Sequence, residues 1–286
     1  MRLPKSLIAS PMHCLRLDAV LLSYQRQFWH PFLRAVNYHD VPASMAGAFE
    51  MQLRFYRKRF QSVDLEGLLR LLAGHWPFDR PGLILSFDDG LRSHADVVAP
   101  LLGQYGFTGW FMVPGGFLDA PADQQAVFAQ SHRISHSGTQ YGDCRLAMSW
   151  GDLRALADQH VIGCHTWNHT RLRPDLGAGD LDAEIVDAKS RLEAKLNHEI
   201  RIFAWVGGEE WSYSAKAAAA IRRAGYAAAF MTNAGIVRPG DSPWHLQRAN
   251  VEASYQTSLV GFQLSGLLDL AYWPKRRRVN RLTSAS

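Results

Sequence analysis

Cysteine and long apolar runs are the two features that this sequence of 286 residues most clearly lacks. Its three cysteines, Cys14, Cys144 and Cys164, are scattered without paired spacing. This usage excludes a disulfide framework and a cysteine zinc site, and it is typical of a reducing compartment. No run reaches the ~18 apolar residues that a transmembrane helix needs, so we expect no membrane span.

A recognisable export signal is also missing. The basic start, residues 1–5, precedes a short apolar stretch. Pro11, Arg16 and Asp18 interrupt that stretch before a secretory core could form. Together with the cysteine usage, this predicts a cytoplasmic location.

The excess positive charge is confined to one end of the chain. The formal net charge is +5, and five basic residues lie at positions 275–278 and 281, so the remainder is neutral by formal count. Because no basic stripe runs through the body of the chain, we expect no nucleic-acid partner. The basic cluster follows an apolar segment, residues 264–273. That segment is either a last core helix followed by solvated arginines, or a peripheral contact with the inner face of an anionic membrane.

Short apolar runs alternate with helical patterns along most of the chain. The runs predict strands at residues 33–38, 82–87, 108–113, 161–164, 201–206, 226–230 and 245–251. Repetition of strand and helix favours a single α/β domain arranged as a barrel. In such folds the functional sites form at the carboxyl ends of the strands.

Two helices have readable ends. Ser149 begins a capping box with Asp152 in the third position. Ser214 can cap an alanine-rich helix that Gly225 ends.

The longest segment without a helical or strand pattern covers residues 119–147. A segment of this length in a compact domain is usually a functional or mobile loop. We expect its two histidines, His132 and His136, to be solvated.

Two adjacent carboxylates follow the strand at residues 82–87. The segment Ser-Phe-Asp-Asp-Gly occupies residues 86–90, and Asp88 and Asp89 would repel each other if both were buried without a partner. A cation removes the conflict, because it holds one carboxylate as a ligand and leaves the other available as a base. Gly90 allows the sharp turn that lets both face one pocket. Taken alone, this tripeptide is more often a simple turn.

Two histidines follow the strand at residues 161–164. His165 and His169 are spaced i, i+4, which places both imidazoles on one face of a helical turn. Isolated pairs of this kind are a weak signal, but here each motif follows a buried strand. One carboxylate and two histidines leave open positions for water and substrate, as a hydrolytic metal site requires.

Together the two segments resemble the motifs of a known family. Residues 86–90 resemble the first motif of the polysaccharide deacetylase family, the NodB-homology or carbohydrate esterase family 4 fold. Residues 165–169 match its second motif, His-Ser/Thr-x-x-His, at every fixed position. The likeness extends from about Asn37 to about Val251.

The resemblance implies a domain organisation. We expect an α/β, single-domain distorted (β/α) barrel of the NodB-homology type at residues 33–256. An amino-terminal extension covers residues 1–32, and an apolar and then basic tail covers residues 257–286.

The resemblance also implies an activity and its residues. Asp89, His165 and His169 would bind a divalent metal, with Zn²⁺ the first expectation, and Asp88 would be the general base. An oxyanion would rest on the metal and on a backbone N–H beyond the third motif. The implied reaction removes N-acetyl groups from amino sugars. The partner would be an acetylated amino-sugar glycan: a polysaccharide, an oligosaccharide or a lipid-linked precursor.

The third motif departs from the family pattern. Residues 203–208 read Phe-Ala-Trp-Val-Gly-Gly, with Val206 at the proline position and Ala204 where other members carry an arginine. Without that arginine, nothing obvious in the sequence orients Asp88. The departure leaves two alternatives open: hydrolysis of another non-peptide C–N bond, or a degenerate relative that binds carbohydrate without turnover.

The general acid and the sugar contacts are less well defined by sequence. The segment His-Leu-Gln-Arg at residues 245–248 resembles the family's Leu-Pro-Arg variant, so Arg248 would face the site and bind substrate. His245 and His39 are both candidate general acids, and for each a structural role is an equal alternative. Trp205 and Trp211 are candidates for packing against a sugar, although tryptophans in such patterns are also ordinary core residues.

Overall fold

The computed structural model describes residues 17–139 and 141–284. The basic start at residues 1–5 and Cys14 lie outside the described residues, so the interpretations that rest on them stay predictions. Of the other cysteines, Cys144 is exposed and Cys164 is buried, and both are free thiols.

Ten strands form one sheet. They are β1 (Leu33–Tyr38), β2 (Gln61–Ser62), β3 (Gly82–Asp88), β4 (Gly109–Val113), β5 (Val161–Cys164), β6 (Ile202–Ala204), β7 (Ala228–Met231), β8 (Ile236–Val237), β9 (Leu246–Gln247) and β10 (Ala249–Asn250). Their order is β10-β1-β3-β4-β5-β6-β7-β9, with β2 paired to β3 and β8 to β1. Every pairing is parallel except the one between β8 and β1. The predicted barrel is confirmed.

A single residue links the two edges of this sheet. β9 pairs with β7 at one edge and β10 pairs with β1 at the other, and only Arg248 separates β9 from β10. The chain therefore passes from one edge to the other across Arg248, which leaves the barrel nearly closed. The predicted strand at residues 245–251 is divided at this point.

Twelve α-helices accompany the sheet in the described part of the chain. They are α1 (Leu17–Trp29), α2 (Ala46–Arg57), α3 (Leu65–Leu72), α4 (Ala99–Tyr105), α5 (Gly115–Asp119), α6 (Gln125–His132), α7 (Trp150–Ala157), α8 (Ala178–Leu181), α9 (Asp187–Leu196), α10 (Ala215–Arg223), α11 (Thr257–Leu264) and α12 (Leu267–Ser284). None of these helices is long and apolar enough to cross a membrane.

Both predicted helix caps are confirmed. The Ser149 hydroxyl accepts a hydrogen bond from the backbone N–H of Asp152, whose carboxylate accepts from the N–H of Ser149. Ser214 caps α10, and Gly225 follows that helix with φ of 77°. These local interactions determine where α7 and α10 begin.

The core has two layers because successive side chains of each strand point to opposite faces of the sheet. Leu33 and Ala35 of β1 belong to a cluster inside the barrel. Val36 and Tyr38 belong to a larger cluster between the sheet and the helices. Both faces of the strands are thus buried, which explains why they read as nearly continuous apolar runs.

The segment at residues 119–147, expected to be a loop, contains α6. This helix escapes periodicity analysis because its buried face is partly polar, with Gln125 buried beside Ala129. The Gln125 side-chain oxygen accepts hydrogen bonds from the backbone N–H groups of Leu146 and Ala147 at 2.7 and 2.9 Å. One buried amide thereby joins the two ends of the segment.

Residues 257–284, expected as an apolar and then basic tail, form two helices packed on the barrel. Val260 of α11 and Val279 of α12 are buried in the outer core. The basic residues are partly engaged, since Arg278 forms an ion pair with Glu210 at 2.5 Å. This segment therefore contributes to the packing of the barrel.

Candidate active site

Most of the predicted site residues meet in one pocket at the carboxyl ends of the strands. Asp88 ends β3, His39 follows β1 and His165 follows β5, and because these strands are parallel their ends lie on one rim. The three side chains line a cavity of about 390 Å³ together with Asp89 and His169. Two segments 75 residues apart in the sequence are thus joined by sheet topology alone.

Three side chains offer ligand atoms to a single point. The atoms of Asp89, His165 and His169 all lie within 4.8 Å of one another, and all three residues are buried. His169 Nε2 lies 3.1 Å and His165 Nε2 lies 3.7 Å from Asp89 Oδ1. The predicted grouping of one carboxylate with two imidazoles is therefore present.

The backbone that carries the two histidines is not helical, contrary to the spacing argument. Residues 165–170 form an irregular turn with φ of 59° at Thr166 and 56° at His169. Hydrogen bonds hold this conformation: Glu184 accepts from both the backbone N–H and the side-chain amide of Asn168, at 2.9 and 2.7 Å. The two rings face each other at a centroid distance of 5.1 Å because of this turn.

The side chains of Asp89, His165 and His169, here called the triad, are arranged to bind a cation. His165 Nδ1 donates to the Ala204 carbonyl and His169 Nδ1 donates to the His132 carbonyl, at 2.8 and 2.7 Å. In the neutral rings, each Nε2 therefore presents a lone pair to Asp89 Oδ1, which has no hydrogen-bond donor among the described residues. Lone pairs that converge in a buried space repel one another unless a positive charge lies between them.

Burial and the neighbouring charges shift the pKa of each of these three residues. Burial lowers the pKa of His165 to about 4. Burial also opposes a charge on His169, but the neighbouring Asp89 carboxylate outweighs it and raises the pKa of that ring. Burial alone would raise the pKa of Asp89, and the His169 imidazole instead holds it well below its ordinary value.

Asp88 is held by Arg248, which corrects the expectation that Arg248 binds substrate. Arg248 is fully buried and contacts both carboxylate oxygens of Asp88, at 2.5 and 2.9 Å. It also donates to the Ser86 hydroxyl at 3.0 Å. Because the guanidinium does not reach the surface of the pocket, it orients Asp88 in place of the arginine that Ala204 replaces.

A third donor completes the environment of Asp88. Asn37 Nδ2 donates to Asp88 Oδ2 at 3.2 Å, and the same oxygen lies 3.8 Å from His165 Nε2. Burial by itself raises the pKa of Asp88, but the charges of Arg248 and His165 and the hydrogen bond from Arg248 together outweigh burial and keep the pKa below its ordinary value. Asp88 is therefore an oriented carboxylate, with one oxygen directed toward the triad, that can accept a proton.

Of the two candidate general acids, only His39 lines the pocket. His39 is partly exposed and lines the pocket, and its charge when protonated lowers the pKa of both Asp88 and Asp89. His245 precedes β9, so it lies at the amino end of that strand, and its Nε2 is 3.0 Å from the Thr283 hydroxyl. His245 therefore lies outside the pocket and His39 lines it, and the role of a general acid stays a prediction.

The tryptophans and loop histidines differ from expectation in detail. Trp205 lines the pocket, but it is only 1% exposed and packs against Tyr213, so it forms the floor rather than an open platform for a sugar ring. Trp211 is 47% exposed. His132 is only partly exposed and stacks on Phe128 at 4.0 Å, whereas His136 is exposed as expected.

Sequence reasoning missed several residues that shape the site. Asn37 and Glu184 hold Asp88 and the histidine turn, and Tyr272 and Lys275 of α12 line the pocket. Asn37 had a usable signal, since it lies at the end of a predicted strand. Glu184, Tyr272 and Lys275 reach the site from other elements of the fold, so the sequence around them gives no sign of their role.

Comparison with known sequences agrees with this geometry. The sequence profile of the family described as polysaccharide deacetylase matches residues 77–229, more than half of the chain. The chain is also 25% identical over 163 residues to poly-β-1,6-N-acetyl-D-glucosamine N-deacetylase from Escherichia coli strain K12, an alignment that covers 53% of this chain. The chain spans only 23% of the length of that relative.

Solved structures share the fold. The deacetylase PplD from Streptococcus pyogenes aligns with a TM-score of 0.63 at 17% identity, over 80% of this chain and 96% of that one. IcaB from Ammonifex degensii aligns with a TM-score of 0.62 at 21% identity, over 82% and 97%. With the family profile matching more than half of its length and both motifs assembled in one pocket, the chain belongs to the polysaccharide deacetylase family.

Proposed function

We propose that this protein is a metal-dependent hydrolase that removes N-acetyl groups from amino sugars of a glycan. The observation that carries the proposal is the single pocket in which a buried Asp-His-His triad lies beside the oriented carboxylate of Asp88. Family membership and the N-deacetylase activity named for the Escherichia coli relative support the same reaction class.

The cation that we propose for the triad is zinc. Two imidazoles and one carboxylate are a donor set of catalytic zinc sites, and they leave positions open to solvent. When bound, such an ion acts as a Lewis acid toward a carbonyl and lowers the pKa of a water.

The remaining roles belong to side chains of this chain. Asp88 takes the proton of the attacking water, and Arg248 and Asn37 keep its carboxylate aligned for that step. His39 gives a proton to the amine that leaves when the C–N bond of the acetamide breaks. Acetate and a free amino sugar are the products.

The altered third motif does not require a degenerate site. Ala204 lacks a side chain that could orient Asp88, but Arg248 supplies that contact from the junction of β9 and β10. This contact supports a site with turnover over one that only binds carbohydrate.

A substrate panel tests the proposed reaction. We expect acetate release from N-acetylated glucosamine oligosaccharides and no ring opening of small cyclic amides, in line with the family and with the activity named for the Escherichia coli relative. Acetate measured enzymatically would report the first activity, and chromatography of ring-opened products the second. Turnover of the cyclic amides alone would contradict the proposal, and so would glycan binding without acetate release by the metal-loaded protein.

Removing one triad ligand should abolish metal binding. We expect about one equivalent of metal in the purified protein and less than about a tenth of that in His165→Ala, because the remaining pair no longer encloses a cation. Elemental analysis of protein dialysed against zinc measures this directly. His160→Ala is the matched control, since that partly buried histidine lies outside the pocket. Full occupancy in His165→Ala would contradict the ligand assignment.

Substitution of the two candidate general acids, His39 and His245, should change kcat by different amounts. We expect His39→Ala to lower kcat about 100-fold, in line with the loss of a general acid, and His245→Ala to change it less than about twofold. Initial rates of acetate release at a saturating oligosaccharide concentration measure both. Equal losses in the two variants, with normal folding, would contradict the assignment of His39.

The cytoplasmic location stays a prediction. Fractionation of cells, with antibody detection of the protein, tests it.

A further inference from the structure

One helix of the barrel presents an unusual outer surface. Along α12, Asp269, Val279 and Thr283 face inward and are buried, whereas Leu270 is 74% exposed and Trp273 is 52% exposed. The next turns of the same helix carry exposed basic residues. We name the set Leu267, Leu270, Trp273, Arg277 and Arg281 the apolar–basic face.

The arrangement within this face suits a boundary between water and lipid. The Arg277 guanidinium lies over the Trp273 ring, 4.8 Å from its centroid, so its charge remains exposed beside an apolar surface. Exposed apolar groups gathered in one place mark interaction sites, and aromatic rings next to cations are typical of helices that lie in a membrane interface.

Helix α1 adds a second apolar stripe. Val20, Tyr24 and Phe28 follow one another at i, i+4 and i+8, and they are 59%, 51% and 61% exposed. The Tyr24 and Phe28 rings contact each other at a centroid distance of 4.6 Å. Three large exposed apolar side chains in one stripe favour burial against an apolar partner over contact with water.

A buried polar chain joins α1 to α12. Arg34 donates to both carboxylate oxygens of Asp269, at 2.8 and 2.7 Å, and to the side-chain oxygen of Gln25. Gln25 lies between exposed residues of α1, and Asp269 is followed directly by Leu270. Arg34 of β1 therefore bridges the two helices, and each carries exposed apolar residues beside the group that Arg34 contacts.

The charge of the face selects its partner. Arg277 and Arg281 are exposed cations, and each basic side chain near an anionic bilayer strengthens attraction to it. The same cations would oppose each other if two copies of this face met in a two-fold dimer. An anionic lipid surface satisfies both the apolar and the charged parts.

One helix separates the face from the pocket. Tyr272 and Lys275, which line the pocket, lie on the inward side of α12, across the helix from Trp273 and Arg277 and about one helix diameter (~10 Å) away. We propose that the apolar–basic face and the α1 stripe dock on an anionic bilayer and hold the pocket close to its surface, where the substrate is an amino sugar carried by a membrane lipid. The substrate part of this inference rests on the proposed deacetylase function.

Vesicle binding tests the docking without using activity. With sedimented vesicles of equal parts phosphatidylcholine and phosphatidylglycerol at low salt, we expect the full chain to pellet, and to be released as added salt screens the charges. Arg277→Gln with Arg281→Gln should lower the partition coefficient about 30-fold. Leu270→Ser with Trp273→Ser should lower it about tenfold or more.

Matched control variants make the same kinds of substitution at exposed positions outside the apolar–basic face and the α1 stripe. Met51→Ser on α2 removes an apolar side chain that is 61% exposed, and Arg70→Gln on α3 removes an exposed cation, so neither should change the binding. Wild-type protein that stays in the supernatant with anionic vesicles at low salt would overturn the proposal. Binding by the Leu270/Trp273 variant equal to wild type would also overturn it.

A second measurement separates this inference from the proposed function. Acetate release is compared for an N-acetylglucosaminyl lipid in the same vesicles and for the same sugar in solution. We expect the Leu270/Trp273 variant to lose about tenfold on the lipid and nothing on the soluble sugar. Equal rates of the variant and wild type on the lipid would overturn the substrate assignment. Vesicle binding without release from either substrate would support docking and contradict the deacetylase function.

Discussion

Asp88→Asn should lower kcat for acetate release by roughly 10²–10⁴-fold, the usual contribution of a positioned general base. An amide has the shape of the carboxylate but cannot accept the proton of an attacking water. Asp89, His165 and His169 are unchanged in this variant, so we expect its zinc content to equal that of the wild type. Steady-state kinetics together with elemental analysis give both quantities.

The control for this variant lies a few residues further along the chain. Asp96→Asn makes the same chemical change at an exposed carboxylate paired with Arg92, and it should leave kcat within about twofold. The melting temperature of Asp88→Asn must also be measured, because the variant removes the buried counter-charge of Arg248. A folded, metal-loaded Asp88→Asn protein with near wild-type kcat would show that the base is another group.

Arg248→Met should cost about 3–5 kcal/mol of unfolding free energy, because it leaves the buried Asp88 carboxylate without its cation. Arg248 is fully buried and donates three hydrogen bonds in this network, so solvent cannot replace the loss. In the protein that remains folded, we expect kcat to fall and KM to stay nearly constant, since Arg248 positions Asp88 and does not reach the pocket. Urea unfolding and steady-state kinetics measure the two effects.

Three further variants make this prediction specific. Arg248→Lys keeps the charge but cannot contact both oxygens at once, so it should recover part of the stability and less of kcat. Adding Asp88→Asn to Arg248→Met should recover stability, because the buried group is then neutral. Arg70→Met, at an exposed ion pair with Glu66, should cost less than about 1 kcal/mol. A rise in KM with unchanged kcat in Arg248→Met would indicate substrate binding instead.

The positions of the strands were largely predictable from the sequence. The predicted bounds of β1 and β5 agree with the structure to the residue, and β3 and β4 differ by one residue at one end. Strands buried on both faces appear as short apolar runs, which local inspection detects. The caps at Ser149 and Ser214 were predictable for the same reason, since a cap acts on neighbouring residues.

The residues of the triad were also predictable from the sequence, because each motif is contiguous and follows its strand directly. The mistaken part was its backbone: the spacing of His165 and His169 fits a helical turn, but hydrogen bonds from Asn168 to Glu184 hold an irregular one. Glu184 lies on a different element of the fold, so the conformational preferences of residues 165–169 alone could not predict the irregular turn.

What the sequence by itself determined is the seven apolar strand segments, the two motifs and the family that they indicate, because those depend on local order and on chain direction; β2 and β8, of two residues each, were not predicted. Only the tertiary structure decided which groups serve the site. Arg248 meets Asp88 across 160 positions of sequence, whereas His245, three residues earlier and at the other end of β9, contacts Thr283 of α12 outside the pocket. A shift of three residues along a strand moves a side chain about 10 Å, so only the register of β9 against β7 could separate the two.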